Sequence, residues 1–152
     1  MKVNTFSDEL TGKGMKFAIV RSRFNQAVTD RMLEGCENTL TNSGADDIEV
    51  HEVPGSFEIP LAVQLLLKKG GYDAIITLGC IQRGETPHDR YIANAVIPAL
   101  TKLSLDYSVP VILGIITPVT LEQADERSTG ESNKGIEAAK AALELVQVLR
   151  QI

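Results

Sequence analysis

Gly79-Cys80-Ile81-Gln82-Arg83-Gly84-Glu85-Thr86-Pro87-His88-Asp89-Arg90-Tyr91-Ile92 is the stretch from which the fold can be read. Before it stands Ala74-Ile75-Ile76-Thr77-Leu78, an apolar run too short for a core helix and rich in β-branched residues, which predicts a buried strand. After it comes a helical stripe at Ile92, Ala95, Val96, Ala99, Leu100 and Leu103. The Gly-Glu-Thr-Pro-His segment therefore joins a strand's C-terminal end to a helix N-terminus. Backbone N–H groups are free there and the helix dipole is positive, which suits an anion such as phosphate. Pro87 fits a first helical turn, where no N–H is needed, and His88 stands beside the same position. The spacing alone reads equally well as an ordinary capped connection, with Gly84 turning the chain, Thr86 capping and His88 an exposed helix-start residue.

Working outward, Lys16-Phe17-Ala18-Ile19-Val20 is a first buried strand, with Arg21-Ser22-Arg23-Phe24-Asn25 at its C-terminal end. Val28, Met32, Cys36 and Leu40 recur every fourth residue, which predicts a helix ending near Asn42-Ser43-Gly44. Residues 47–53 alternate polar and apolar, as a sheet-edge strand does, with His51 on the solvated side. Pro54-Gly55-Ser56-Phe57-Glu58-Ile59-Pro60 turns into a nearly all-apolar helix over 61–67, with Glu58 in its first turn. Residues 109–116 form the fourth strand, followed by a short helix through Leu121 and Ala124 that Arg127 closes. The last helix presents Ile136, Ala139, Leu143, Val146 and Leu149 to the core. Residues 1–14 are polar, with Gly12 and Gly14 as a hinge. They make an arm with two readings, a disordered tail or one whose residues 2–6 add a strand to a neighbour's sheet edge.

Strands and helices alternate with short connections. That pattern gives a flavodoxin-like three-layer αβα sandwich around a four-stranded parallel sheet of order 2-1-3-4, a single domain over 1–152. Ligands of such sheets bind beyond the strand C-terminal ends. Phe24, Asn25, Gly55, Ser56, Glu58 and residues 84–88 converge there. Phe24 has two readings, a cover for the core or a flat face for a planar ligand. Glu58 likewise either complements a helix dipole or accepts ligand hydroxyls.

The 152 residues carry a net charge of −5 and no basic block, which argues against nucleic acid. No apolar run approaches the ~20 residues of a membrane span. The N-terminus lacks a signal-peptide core, so a cytoplasmic protein is expected. Cys36 and Cys80 have no ligand-like spacing, so both read as core thiols and no metal site is expected. Dinucleotide, Walker and nucleophile-elbow motifs are missing, which leaves chemistry by positioning and proton transfer.

Five segments together are specific: Arg23-Phe24-Asn25, residues 53–60, residues 83–88, Glu122-Gln123-Ala124 through Arg127, and Asn133-Lys134-Gly135. In order and spacing, over nearly the whole chain, they resemble the 6,7-dimethyl-8-ribityllumazine synthase family. The resemblance implies condensation of 5-amino-6-(D-ribitylamino)uracil with 3,4-dihydroxy-2-butanone 4-phosphate, the penultimate step of riboflavin biosynthesis, with no cofactor. It implies that Phe24 stacks on the pyrimidine and that Ser56 and Glu58 hold the ribityl chain. Asn25, Gly55, Phe57, Cys80, Ile81, Gln82 and Lys134 would complete the ribitylaminouracil site. Gly84, Glu85, Thr86 and Arg127 would bind phosphate, and His88 would shuttle protons. It further implies a homopentamer in which Arg127 and a wall at Leu113 come from the neighbouring subunit. Family assemblies also include decamers and icosahedral 60-mers, and riboflavin synthase is a partner to test for.

Three features depart from the family pattern. Asp89 and Arg90 stand where an aromatic and an acid are usual, Leu113 where many members carry Phe, and the 128–132 loop is about one residue short. These motivate an alternative, a flavin- or lumazine-binding or scaffolding homologue with weakened catalysis. A third reading is an unrelated, monomeric phosphosugar-binding domain.

Overall fold

The computed structural model describes residues 1–4 and 9–152. Four strands, β1 (Lys16–Ser22), β2 (Asp47–Val53), β3 (Ala74–Cys80) and β4 (Val111–Ile116), form one parallel sheet in the order β2-β1-β3-β4. The register sets Arg21 beside Glu52 and Leu78, and Gly79 beside Ile115. Every residue of β3 is buried, whereas no residue of β2 is, its positions being exposed or half-buried. This is the difference between a central strand covered on both faces and an edge strand.

Helices α1 (Gln26–Asn42), α4 (Leu121–Glu126) and α5 (Lys134–Leu149) cover one face with Met32, Cys36, Leu40, Ala124, Ala139 and Leu143. Helices α2 (Ile59–Lys69) and α3 (His88–Tyr107) cover the other with Val63, Leu67, Val96 and Leu100. The layers and strand order are as the sequence predicts, and the fold is the flavodoxin-like α/β arrangement.

Several details differ. Strands β1 and β3 each run two residues further than the apolar runs, through Ser22 and Cys80, because ladder hydrogen bonds continue past the last large side chain. On α3 the inward residues are Ile92, Ala93, Val96, Leu100 and Leu103, while Ala95 is exposed. On α5 small residues carry the seam, Gly135, Ala138, Ala139 and Ala142, and Leu149 is exposed. β4 starts at Val111 rather than at 109.

Gly12 is packed rather than hinge-like. Its N–H donates to the Ser43 carbonyl at 2.9 Å, and a Cβ there would meet Ser43 Oγ at 2.7 Å. The strand expected over residues 2–6 lies partly outside the described residues, and among the described residues 1–4 form no strand. His51 is half-buried, with Nε2 3.2 Å from Glu49 Oε2, rather than simply solvated. Among the described residues no helix is long and apolar enough to cross a membrane.

Candidate active site

Three connections meet beyond the strand ends. The β1–α1 connection is hydrogen-bonded to the segment after β2: Arg23 N–H donates to the carbonyls of Val53 and Pro54, and Phe24 N–H donates to that of Pro54. Asn25 takes a left-handed backbone, φ 61°, which asparagine tolerates better than most side chains. Its Nδ2 donates to the Cys80 carbonyl at 3.0 Å, tying this connection to the end of β3.

The Gly55–Glu58 turn is a reciprocal cap. Glu58 Oε2 accepts from Gly55 N–H at 3.1 Å, and Glu58 N–H donates to Gly55 O at 3.2 Å. Glu58 closes a 3-10 turn, Ser56–Glu58, that precedes α2 rather than lying inside that helix. One carboxylate edge is engaged and acceptor positions remain for a ligand. Gly55 is extended, so glycine is needed there for room: a Cβ would lie 2.7 and 2.9 Å from two carbons of the Phe24 ring. The ring is thus seated on bare backbone while most of Phe24 stays exposed, 67%. A flat, exposed, supported aromatic suits a planar ligand better than it suits a core cover.

These elements line two adjoining cavities that share Phe24, Ser56, His88 and Ile92. One, of about 410 Å³, adds Gly55, Phe57, Glu58 and Tyr91. The other, of about 390 Å³, adds Asn25, Cys80, Ile81, Gln82, Gly84, Thr86 and Asp89. Burial pushes the Cys80 thiol up to about 11 and the Cys36 thiol up to about 12, so neither is a ready nucleophile. Among the described residues no cluster of three or more His, Cys, Asp or Glu could hold a metal ion.

His88 opens α3, with Pro87 as its N-cap. This corrects two sequence expectations, since Pro87 stands just before the first turn and Thr86 makes no capping hydrogen bond. Among the described residues the N–H groups of Gly84, Glu85 and Thr86 have no backbone acceptor. Gly84 does not have positive φ, and a Cβ on it would meet nothing within 4 Å. The fold does not require glycine there, so the position is bare for another reason. Gly84→Ala is expected to leave the thermal midpoint within about 2 °C of wild type while raising KM for a phosphorylated substrate several-fold. Paired melting and steady-state kinetics check this.

Three of the expected site residues, Leu113, Arg127 and Lys134, line a separate cavity of the chain. Glu85 lines an outer cavity of about 500 Å³ with Arg83, Arg90 and Thr117, and that cavity shares Gly84, Thr86 and Asp89 with the second of the two around Phe24. Leu113, Arg127 and Lys134 line a cavity of about 310 Å³ against β4 and α5. That cavity shares no residue with the two around Phe24. Lys134 is therefore not beside Phe24 in its own chain, and its Nζ pairs with Glu137 at 3.0 Å. Arg127 and Lys134 are held together by Lys134 N–H donating to Arg127 O at 2.8 Å.

Other structural groups were not singled out by the sequence. Arg21 is buried at the end of β1, paired with Asp30 and with Glu52. It braces the root of the Phe24 loop, and burial and the two carboxylates act on it in opposite senses. Tyr91 was legible in principle, three residues after His88 on the same helix face. Ser22 carried no signal at all. The family model for 6,7-dimethyl-8-ribityllumazine synthase matches residues 14–150, which includes every one of these groups, and the chain belongs to that family of riboflavin biosynthesis.

Proposed function

We propose that the protein condenses 5-amino-6-(D-ribitylamino)uracil with 3,4-dihydroxy-2-butanone 4-phosphate, releasing 6,7-dimethyl-8-ribityllumazine, phosphate and water. The observation that carries this reading is the convergence of Phe24, Ser56 and His88 on both halves of one crevice, which ends at the open N–H groups of the 84–86 loop. The planar uracil stacks on Phe24. Its polyol chain runs past Ser56 toward Glu58, whose free carboxylate positions accept hydroxyl protons. The phosphate end lies on the 84–86 loop at the start of α3, where unpaired N–H groups and the helix dipole favour negative charge.

In that arrangement the amine of the uracil meets the ketone with both partners already oriented. Amine attack gives a carbinolamine and then, with loss of water, an imine. Phosphate leaves by elimination, and the second amine closes the ring with loss of another water. His88 moves protons between amine, leaving group and solvent. Positioning two reactants supplies much of the acceleration, so the imidazole is an aid rather than a requirement. His88→Ala is expected to lower kcat roughly 10-fold, at or below the weak end of general acid–base contributions, with little change in KM. Single-turnover kinetics separate this from slowed product release.

Leu113, Arg127 and Lys134 enter the reaction from a neighbouring copy. A homopentamer supplies such a neighbour at every site, with Arg127 facing the phosphate and Leu113 walling the ring. Mixing the two substrates and following lumazine absorbance together with phosphate release tests the reading. Turnover no faster than the uncatalysed condensation refutes it.

A further inference from the structure

Among the described residues two side-chain oxygens stand out as buried atoms with no hydrogen-bond partner, Ser22 Oγ and Ser56 Oγ. Ser22 is wholly buried as the last residue of β1, and Ser56 is 6% exposed. They flank one residue. The Cβ that Gly79 lacks would lie 2.5 Å from Ser56 Oγ and 3.2 Å from Ser22 Oγ. Any side chain on Gly79 would displace one or both hydroxyls, so the bare strand position makes the space they occupy. Ser56 also borders both cavities around Phe24.

A hydroxyl can donate once and accept twice, and leaving one unmade in the interior is costly. Two such groups around one bare strand position, one of them at the wall of a crevice, suit an arrangement completed by a ligand. The same two cavities also carry Gln82, Thr86, His88, Asp89 and Tyr91. Asn25 is committed to the Cys80 carbonyl and one Glu58 oxygen to Gly55 N–H.

We propose that Ser22 is a positioning residue for recognition of the substrate's polyol chain, acting through Ser56. With ligand bound, Ser56 turns between staggered rotamers so that its O–H donates to a ribityl hydroxyl. Ser22 O–H donates to Ser56 Oγ behind it. Each hydroxyl then has a partner, and the short donor chain polarises toward the ligand. A ligand without the chain leaves the pair as it is, so discrimination rests on the polyol and not on the ring. The inference depends on the crevice around Phe24 being the lumazine site.

The test titrates wild type and Ser22→Ala with 6,7-dimethyl-8-ribityllumazine and with 6,7-dimethyllumazine, which lacks the chain, and melts both proteins without ligand. The expected result is a loss on the order of 5-fold in affinity for the ribityl compound, the size of one ordinary hydrogen bond. Affinity for the chainless compound stays the same. The ligand-free thermal midpoint stays the same or rises, because an unpaired buried hydroxyl has been removed. Equal affinity of both proteins for the ribityl compound overturns the inference, as does an equal loss for both ligands. So does a lower ligand-free midpoint, which would mean that Ser22 serves an internal partner such as a trapped water. Wild type that binds the ribityl compound while the variant binds it equally well sinks Ser22 alone. Wild type that binds neither compound sinks the site reading and this inference together.

Discussion

Gly135→Ala is expected to cost at least about 3 kcal/mol of stability, beyond the ordinary range for one added methyl in a packed core, and to lower the thermal midpoint by roughly 10 °C. A Cβ at Gly135 would lie 1.8 Å from the Met32 carbonyl oxygen, 2.6 Å from its carbon and 2.8 Å from its Cα. All three are backbone atoms of α1, so no side-chain rotation relieves the clash. The helices would have to separate, which the Asn133 bond to α1 resists. Asn133 Oδ1 caps α5 by accepting from Gly135 N–H at 2.8 Å, while its Nδ2 donates to Arg31 O at 3.0 Å and to Ser128 O at 3.1 Å. Arg31 adds bonds to Ser128 and Asp125 from the same helix.

On the α1 side Gly35 is also close but less so, with its absent Cβ 2.8 Å from the side-chain atom Asn133 Nδ2. Thermal unfolding of Gly135→Ala beside Gly84→Ala makes the comparison internal: one glycine faces backbone and the other faces nothing. A midpoint for Gly135→Ala within 2 °C of wild type would show that α1 and α5 slide apart freely.

What the sequence made legible follows from where periodicity acts. Ala74-Ile75-Ile76-Thr77-Leu78 reports burial directly, and the mixed polar and apolar run of residues 47–53 marks an edge strand even though Val50 is exposed, so both strands are assignable from the sequence. The Phe24, Ser56 and His88 positions were legible because short connections in a parallel sheet must bring strand C-terminal ends together. Hydrophobic spacing could not show the Gly135 contact. A seam of Gly135, Ala138, Ala139 and Ala142 reads as helix propensity rather than as close approach.

Nor could spacing show that Arg21, two residues before Arg23, is buried. Its environment is made by Asp30 and Glu52, nine and thirty-one residues away. The Ser22–Ser56 pair depends on a glycine across two strands, a three-body relation with no one-dimensional trace. Lys134 was grouped with the ring-side residues by motif, and only coordinates place it with Leu113 and Arg127 in another cavity.

Co-assembly of two crippled variants is expected to restore activity that neither has alone. Arg127→Ala removes the cation proposed for the phosphate and should cost on the order of 100-fold in kcat/KM, as loss of a charge-assisted contact does. Phe24→Ala/His88→Ala removes the stacking face and the proton carrier and should cost a similar factor. Within one chain the two lesions lie in cavities with no residue in common. If the crevice of one protomer is completed by its neighbour's Arg127, a random mixed ring holds some sites built from two intact halves. Each such site needs Phe24 and His88 on one side and Arg127 on the other, so about a quarter of the sites are whole in a heterologous, closed ring.

Unfolding and refolding an equimolar mixture should therefore recover about a quarter of wild-type turnover, far above the ~1% of either parent. The competing geometry keeps the site within one chain. Thr117 borders both the outer cavity of the 84–86 loop and the Arg127 cavity, and a substrate phosphate reaching across Thr117 would find its own chain's Arg127. In that case every protomer carries one lesion, and mixing restores nothing. Recovery near a quarter thus requires an active site divided between two copies, and its absence in rings shown by mass to be mixed requires Leu113, Arg127 and Lys134 to serve their own chain.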